Sequence, residues 1–105
     1  MTGDRSHFIL IFLDGVGLGS NQPANPLAAA AHTPFLASLL GTALITGLNV
    51  TQPQLVAQPI DACLGVPGLP QSATGQTTLY TGQNAAQFRG QHQTGFANGS
   101  LRQLI

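Results

Sequence analysis

Two polar residues of this 105-residue chain stand where the sequence offers chemistry. Asp14 follows the apolar run of residues 8–13, and Ser72 lies between a Pro-rich block, residues 65–70, and a predicted helix. A carboxylate and a hydroxyl that meet at neighbouring loops can share a metal ion. The ion lowers the pKa of the hydroxyl and makes it a nucleophile at neutral pH.

Both residues also have a structural interpretation. Ser72 just before a helix is a good N-cap, although the same place puts its hydroxyl near backbone N–H groups that bind phosphate. Asp14 before Gly15 is a common turn former that bonds its own backbone. Considered alone, neither residue shows whether its role is structural or chemical.

A buried sheet is the element expected to position them. Six consecutive apolar residues, Phe8–Leu13, predict a strand of a parallel sheet. Asp14 then lies at the carboxyl end of that strand, where open α/β sheets bind ligands. Residues 43–50 predict a second strand, and residues 55–64 an extended segment. The fold class expected is α/β with a mostly parallel sheet.

Helices are predicted from start and stop signals. Asn25-Pro26 starts one that continues through Ala31, and Thr33-Pro34 starts another that Gly41 ends. A third is expected from Thr74 to Gly82, beginning just after Ser72. Residues 83–100 read as a surface loop, and residues 101–105 as the start of an amphipathic helix that buries almost nothing.

Composition limits the partners. The net charge is zero, with only three basic and three acidic side chains, so nothing favours nucleic acid or an anionic membrane. The longest apolar stretch is too short to span a bilayer, and no signal peptide is recognisable. We therefore expect a cytoplasmic protein. The single Cys63 is interpreted as a small core residue.

The remaining motifs are weak. His7, His32 and His92 have no ligand spacing with a carboxylate, although the loop around His92 could bring it to a site. Gly15-Val16-Gly17-Leu18-Gly19 fails as a dinucleotide fingerprint, because Ser20 stands where the third glycine belongs. A Pro- and Asn-rich loop also follows directly, where the fingerprint requires a helix.

The order of the motifs resembles the amino-terminal part of the alkaline phosphatase superfamily, in the branch of cofactor-independent phosphoglycerate mutase and phosphopentomutase. The resemblance extends from Phe8 to about Gly95 and rests on Asp14-Gly15-Val16-Gly17, Asn25-Pro26-Leu27, His32-Thr33-Pro34-Phe35-Leu36, Gly68-Leu69-Pro70 and Ser72-Ala73-Thr74-Gly75. It implies part of a three-layer sandwich with a mostly parallel sheet, incomplete in this chain.

The resemblance also implies roles. Asp14 matches a metal-binding Asp, and Ser72 matches the residue that accepts the phosphoryl group and contacts a metal; Thr74 is a poorer match to the nucleophile. Two divalent ions, zinc, manganese or magnesium, would clamp the transferring group of a phosphate-ester small molecule. The implied activity is that of a hydrolase or an isomerase, a phosphatase or a phosphomutase.

Two departures restrict these expectations. Gln76 stands where the mutases have His, and no Asp or Glu follows Asp61, although the family carries further metal ligands in its carboxyl-terminal portion. Residues 1–105 are therefore expected to be the amino-terminal portion of the enzyme, inactive alone and completed by the remainder of the enzyme chain or another protomer. The alternative is a non-catalytic fragment or degenerate relative with a binding or assembly role.

Overall fold

The structure is a computed structural model that describes residues 5–105. In this range it contains short helices and one hairpin, in the order α1 Pro26–Ala29, α2 Pro34–Leu40, β1 Val50–Gln52, β2 Leu55–Ala57, α3 Ser72–Thr81, α4 Ala85–Arg89, and a final 3-10 helix, Leu101–Gln103. No helix in the described range is long and apolar enough to cross a membrane.

The first two helices start where their local signals predict, although α1 ends at Ala29, two residues before the predicted end at Ala31. The Asn25 side chain caps α1 by accepting a hydrogen bond from the Leu27 N–H at 3.1 Å. Pro34 occupies the first turn of α2, and Gly41 ends it with a φ of 73°, a left-handed conformation that glycine adopts at little cost. The Thr33 side chain, however, makes no capping bond.

The predicted fold class is wrong. The described residues contain one two-stranded antiparallel sheet, in which Val50 pairs with Ala57 and Gln52 with Leu55. There is no parallel sheet and no three-layer sandwich in this part of the molecule. The only parallel pairing here is an isolated bridge between Gly19 and Ile45.

The apolar run Phe8–Leu13 does not form the predicted strand. Its backbone makes no hydrogen bond to any described residue, and its side chains are exposed, Phe8 by 88% and Ile11 by 77%. A strand is stable only when a neighbour satisfies its N–H and C=O groups. Residues 5–105 provide no such neighbour.

The predicted strand at residues 43–50 is also absent, apart from Val50. Turns interrupt it, since the Ile45 N–H bonds to the Ala43 carbonyl and Gly47 has a φ of 91°. Pro53 and Gln54 then form the tight turn between β1 and β2. The expected extended segment at residues 55–64 is a strand only as far as Ala57.

The core lies at the carboxyl end of the chain, where the sequence predicts a surface loop and a helix that buries little. Both expectations are wrong. Leu101 is fully buried and packs with Ala73 and Ala85, and Ala97 and Leu104 flank this cluster. The Ala85 N–H bonds to Thr78 Oγ1 at 3.0 Å, which holds the start of α4 against α3.

This core is small for the size of the chain. The accessible surface is 8058 Å², whereas a compact monomer of this mass exposes about 5,500 Å². The radius of gyration is 16.7 Å, against about 13 Å for a compact chain of 100 residues. The chain therefore leaves much apolar surface in water, including the whole run Phe8–Leu13.

Candidate functional site

Ser72 is the first helical residue of α3 and does not act as its N-cap. Gln71 takes the N-cap position with an extended backbone, φ −134° and ψ 153°, and its side chain makes no capping bond. The helix begins two residues before the predicted start at Thr74. The capping interpretation of Ser72 is therefore wrong, and its hydroxyl is free for another contact.

That contact is with Asp14, 58 residues earlier in the chain. Ser72 Oγ lies 3.4 Å from Asp14 Oδ1 and 3.5 Å from Asp14 Oδ2. Both distances are long for an O–H···O hydrogen bond, whose usual length is about 2.7–2.8 Å. The hydroxyl thus faces both carboxylate oxygens almost equally and is bound tightly to neither.

The carboxylates of Asp14 and Asp61 differ in their hydrogen-bond partners, and Asp61 is a structural turn residue. The Asp61 carboxylate accepts hydrogen bonds from the backbone N–H groups of Cys63 and Gly65, both at 2.9 Å. Within residues 5–105 the Asp14 carboxylate has hydrogen-bond contacts with Ser72 Oγ and with no backbone N–H, although Asp14 and Gly15 form a turn. The turn-former interpretation accounts for Asp61 and leaves the side chain of Asp14 unexplained.

The α3 amino terminus is held by a contact that the sequence does not predict. The Ala73 N–H donates to the Gln93 carbonyl at 3.0 Å, and the Gln93 N–H donates to Thr74 Oγ1 at 3.3 Å. The Thr74 hydroxyl donates in turn to the Gln71 carbonyl at 3.3 Å. We call this set of contacts the Thr74–Gln93 bridge. It joins positions 19 apart, so no local sequence signal could identify it.

Asp14 and Ser72 lie on the wall of a large open cleft of about 1240 Å³. The wall is mostly apolar, with Leu13, Val16 and Leu79 among its residues, and the charged side chains that residues 5–105 contribute to it are Asp14 and Asp61. The pair is therefore accessible to a small molecule.

The Asp14 and Ser72 oxygens supply part of the donor set that the divalent cation implied by the motifs would need. Two oxygen ligands of a tetrahedral zinc ion, each at 2.0–2.2 Å, are about 3.4 Å apart, which matches the Asp14–Ser72 spacing. Two donors do not complete a site, however. No group of three or more His, Cys, Asp or Glu residues within residues 5–105 could hold a metal ion.

The histidines do not supply the missing ligands within the described range. His7 and His32 are exposed, and neither lines the cleft that holds Asp14 and Ser72. The Nε2 atom of His92 contacts the Val66 carbonyl at 3.1 Å, so His92 holds the loop before α3 in place. Cys63 is half-buried, and its Sγ lies 3.7 Å from the Gly68 carbonyl. Gln76 makes no side-chain hydrogen bond within residues 5–105.

Comparison of the chain with protein-family models, with curated proteins and with solved structures gave no match. The interpretation of the site therefore depends on the geometry of Asp14, Ser72 and the α3 amino terminus.

Proposed function

We propose that this chain is the amino-terminal portion of a metal-dependent phosphoryl-transfer enzyme, a phosphatase or a phosphomutase. In this proposal Ser72 accepts the phosphoryl group as a phosphoserine, and Asp14 holds a divalent cation beside it. Two such cations, zinc, manganese or magnesium, belong to the complete site. The substrate class is a phosphate ester of a small alcohol.

One observation carries the proposal: Ser72 Oγ lies 3.4 and 3.5 Å from the two oxygens of Asp14. The two residues come from distant parts of the sequence, and neither side chain forms a helix-capping or turn hydrogen bond within residues 5–105. Their oxygens have the spacing of two ligands of one ion. Ser72 also begins a ten-residue helix, whose positive end favours an anionic phosphate.

The chain's own residues would act in the following way. Ser72 Oγ attacks phosphorus, the Oγ–P bond forms, and the bond from phosphorus to the ester oxygen breaks. The leaving alcohol takes up a proton, and the proton of Ser72 passes to solvent. Water then releases phosphate from the phosphoserine in a phosphatase, or a second alcohol oxygen accepts the group in a mutase.

A bound cation would supply charge neutralisation of the nucleophile and of the phosphoryl oxygens. Asp14 and Ser72 provide two oxygen donors for it. The other ligands are proposed to come from the remainder of the enzyme chain or another protomer, because the described residues do not contain them.

The experiment is to locate the phosphoryl group. The full translation product of the gene is incubated with p-nitrophenyl phosphate and Mn²⁺, quenched in acid, digested and analysed by mass spectrometry. We expect phosphate on Ser72 and no label in Ser72→Ala. Ser38→Ala is the matched control, because Ser38 is an exposed serine on α2, and it should label normally. Label on another residue, or undiminished turnover in Ser72→Ala, would refute the proposal.

A second candidate function has one observation in its favour. The chain exposes the whole apolar run Phe8–Leu13, together with large side chains such as Phe35 and Phe96. Contiguous exposed apolar surface marks an interaction site. A non-catalytic binding or assembly role would use this surface and would be insensitive to Ser72→Ala, so the same variant separates the two candidates.

A further inference from the structure

The hydroxyl of Thr74 is in an unusual position for a buried threonine of a helix. Thr74 is fully buried, and its Oγ1 atom both donates to the Gln71 carbonyl and accepts from the Gln93 N–H, each at 3.3 Å. A buried hydroxyl in a helix commonly bonds the backbone of its own preceding turn. Here it also bonds a residue of another segment.

These contacts flank Ser72 on both sides. Gln71, just before it, is held by the Thr74 hydroxyl, and Ala73, just after it, donates its N–H to the Gln93 carbonyl at 3.0 Å. Gln93 is fixed in turn, because its side-chain Nε2 donates to the Phe96 carbonyl at 3.1 Å. The backbone on both sides of Ser72 is therefore fixed, and this sets the position of the Cβ atom from which its hydroxyl faces Asp14.

We infer that Thr74 is a positioning residue for Ser72, acting through the Thr74–Gln93 bridge. It fixes the backbone that places the Ser72 side chain beside Asp14 and within reach of an incoming phosphoryl group, without touching the reacting atoms itself. The inference rests on the proposed role of Ser72 and extends it to residues that no motif singles out. It assigns the segment around Gln93 a function in the reaction.

Removal of the hydroxyl should misplace Ser72. In Thr74→Val the side chain keeps its shape but loses both hydrogen bonds, which leaves the Gln93 N–H without its partner. Small displacements of a nucleophile are costly, and we expect the rate of Ser72 phosphorylation to fall about 10- to 100-fold. The fall should appear in kcat, with KM unchanged, because substrate binding does not involve Thr74.

Thr77→Val is the matched control. Thr77 lies one turn further along α3 and is 3% exposed, and its hydroxyl makes no hydrogen bond with any residue that the structure describes. The same substitution there removes no hydrogen bond to a described residue, so kcat should stay within about twofold of the wild-type value. Thr74→Ser keeps the hydroxyl and should restore most of the rate.

The test is run on the full translation product with p-nitrophenyl phosphate and Mn²⁺, at a temperature where circular dichroism shows every variant folded. Amide hydrogen exchange is measured in parallel, and Thr74→Val should exchange faster at Gln93 and Ala73 than Thr77→Val does. Undiminished kcat in folded Thr74→Val, or an equal loss in Thr77→Val, would overturn the inference. If Ser72→Ala labels normally, the proposed function fails instead.

Discussion

Replacement of Leu101 by Ala should destabilise the chain more than any other Leu→Ala change among the described residues. Leu101 is completely buried, with a relative solvent exposure of 0%. Its cluster is made chiefly of alanines, Ala73, Ala85 and Ala97, with Leu104 at the edge. Alanine side chains cannot rearrange to fill the space that the leucine leaves.

The magnitude follows from this packing. A buried Leu→Ala change costs about 2.7–5.0 kcal/mol, and the cost rises with the volume of the remaining cavity. With neighbours that cannot collapse, we expect about 3–4 kcal/mol. A domain of this length has about 5–15 kcal/mol of stability in total, so the substitution removes a large part of it.

The assay is urea unfolding followed by circular dichroism, with Leu69→Ala as the control. Leu69 is 78% exposed, and its replacement should change the free energy of unfolding by less than about 0.5 kcal/mol. The buried cluster of Leu101 also includes Ala73, the residue after Ser72. Equal effects of the two substitutions, or a cost below about 1 kcal/mol for Leu101→Ala, would refute this description of the core.

Two further predictions concern α3 and the exposed apolar run. Gly82 ends α3 with a φ of 70°, so Gly82→Ala should lower the free energy of unfolding by about 1 kcal/mol, whereas Gly75→Ala should raise it by about 0.5–1 kcal/mol because a methyl group at Gly75 meets no atom within 4 Å. Urea unfolding measures both changes, and the reverse order would contradict the backbone conformations of the two glycines. Ile9→Lys should reduce self-association of the chain, measured by sedimentation velocity, more than Phe35→Lys does. The two side chains are similarly exposed, but Ile9 lies in the continuous apolar run Phe8–Leu13 and Phe35 lies on α2. Equal effects would mean that the run is not a preferred contact surface.

Helix starts were predictable from local signals, and the end of a helix was predictable where a glycine marks it. In α1 and α2 a proline in the first turn gives the start, and Gly41 gives the end of α2. These signals act within a few residues and need no tertiary partner. The five-residue helix α4 was missed, although Asn84 caps it and Gly90 ends it, because so short a helix has no apolar period to recognise.

The sheet prediction failed because strand formation depends on distant partners. Six apolar residues favour a buried strand, but burial requires another segment to pair with, and residues 5–105 contain none for Phe8–Leu13. Burial of Leu101 was missed for the same reason, since its neighbours come from α3, α4 and Ala97. A local sequence pattern indicates which secondary structure a segment can form, but it does not identify the segment that would pair or pack with it.

The proximity of Asp14 and Ser72 was predicted, but through a different arrangement. The sequence suggested two loops at one edge of a parallel sheet, whereas the structure joins a turn and the start of α3 with no sheet between them. The Thr74–Gln93 bridge could not be predicted, because a hydroxyl and a backbone N–H form it across 19 positions. The roles assigned to Asp14 and Ser72 stay predictions.

Asp14 and Ser72 are proposed to share a divalent cation, and line broadening by Mn²⁺ in the NMR spectrum of the full translation product tests this most directly. At substoichiometric Mn²⁺, the amide resonances of Gly15 and Ala73 should broaden first, and Asp14→Asn should abolish this selectivity. Asp61 is the internal control, because its carboxylate is already occupied by the N–H groups of Cys63 and Gly65. First broadening at Cys63 and Gly65, or uniform broadening along the chain, would contradict the claim.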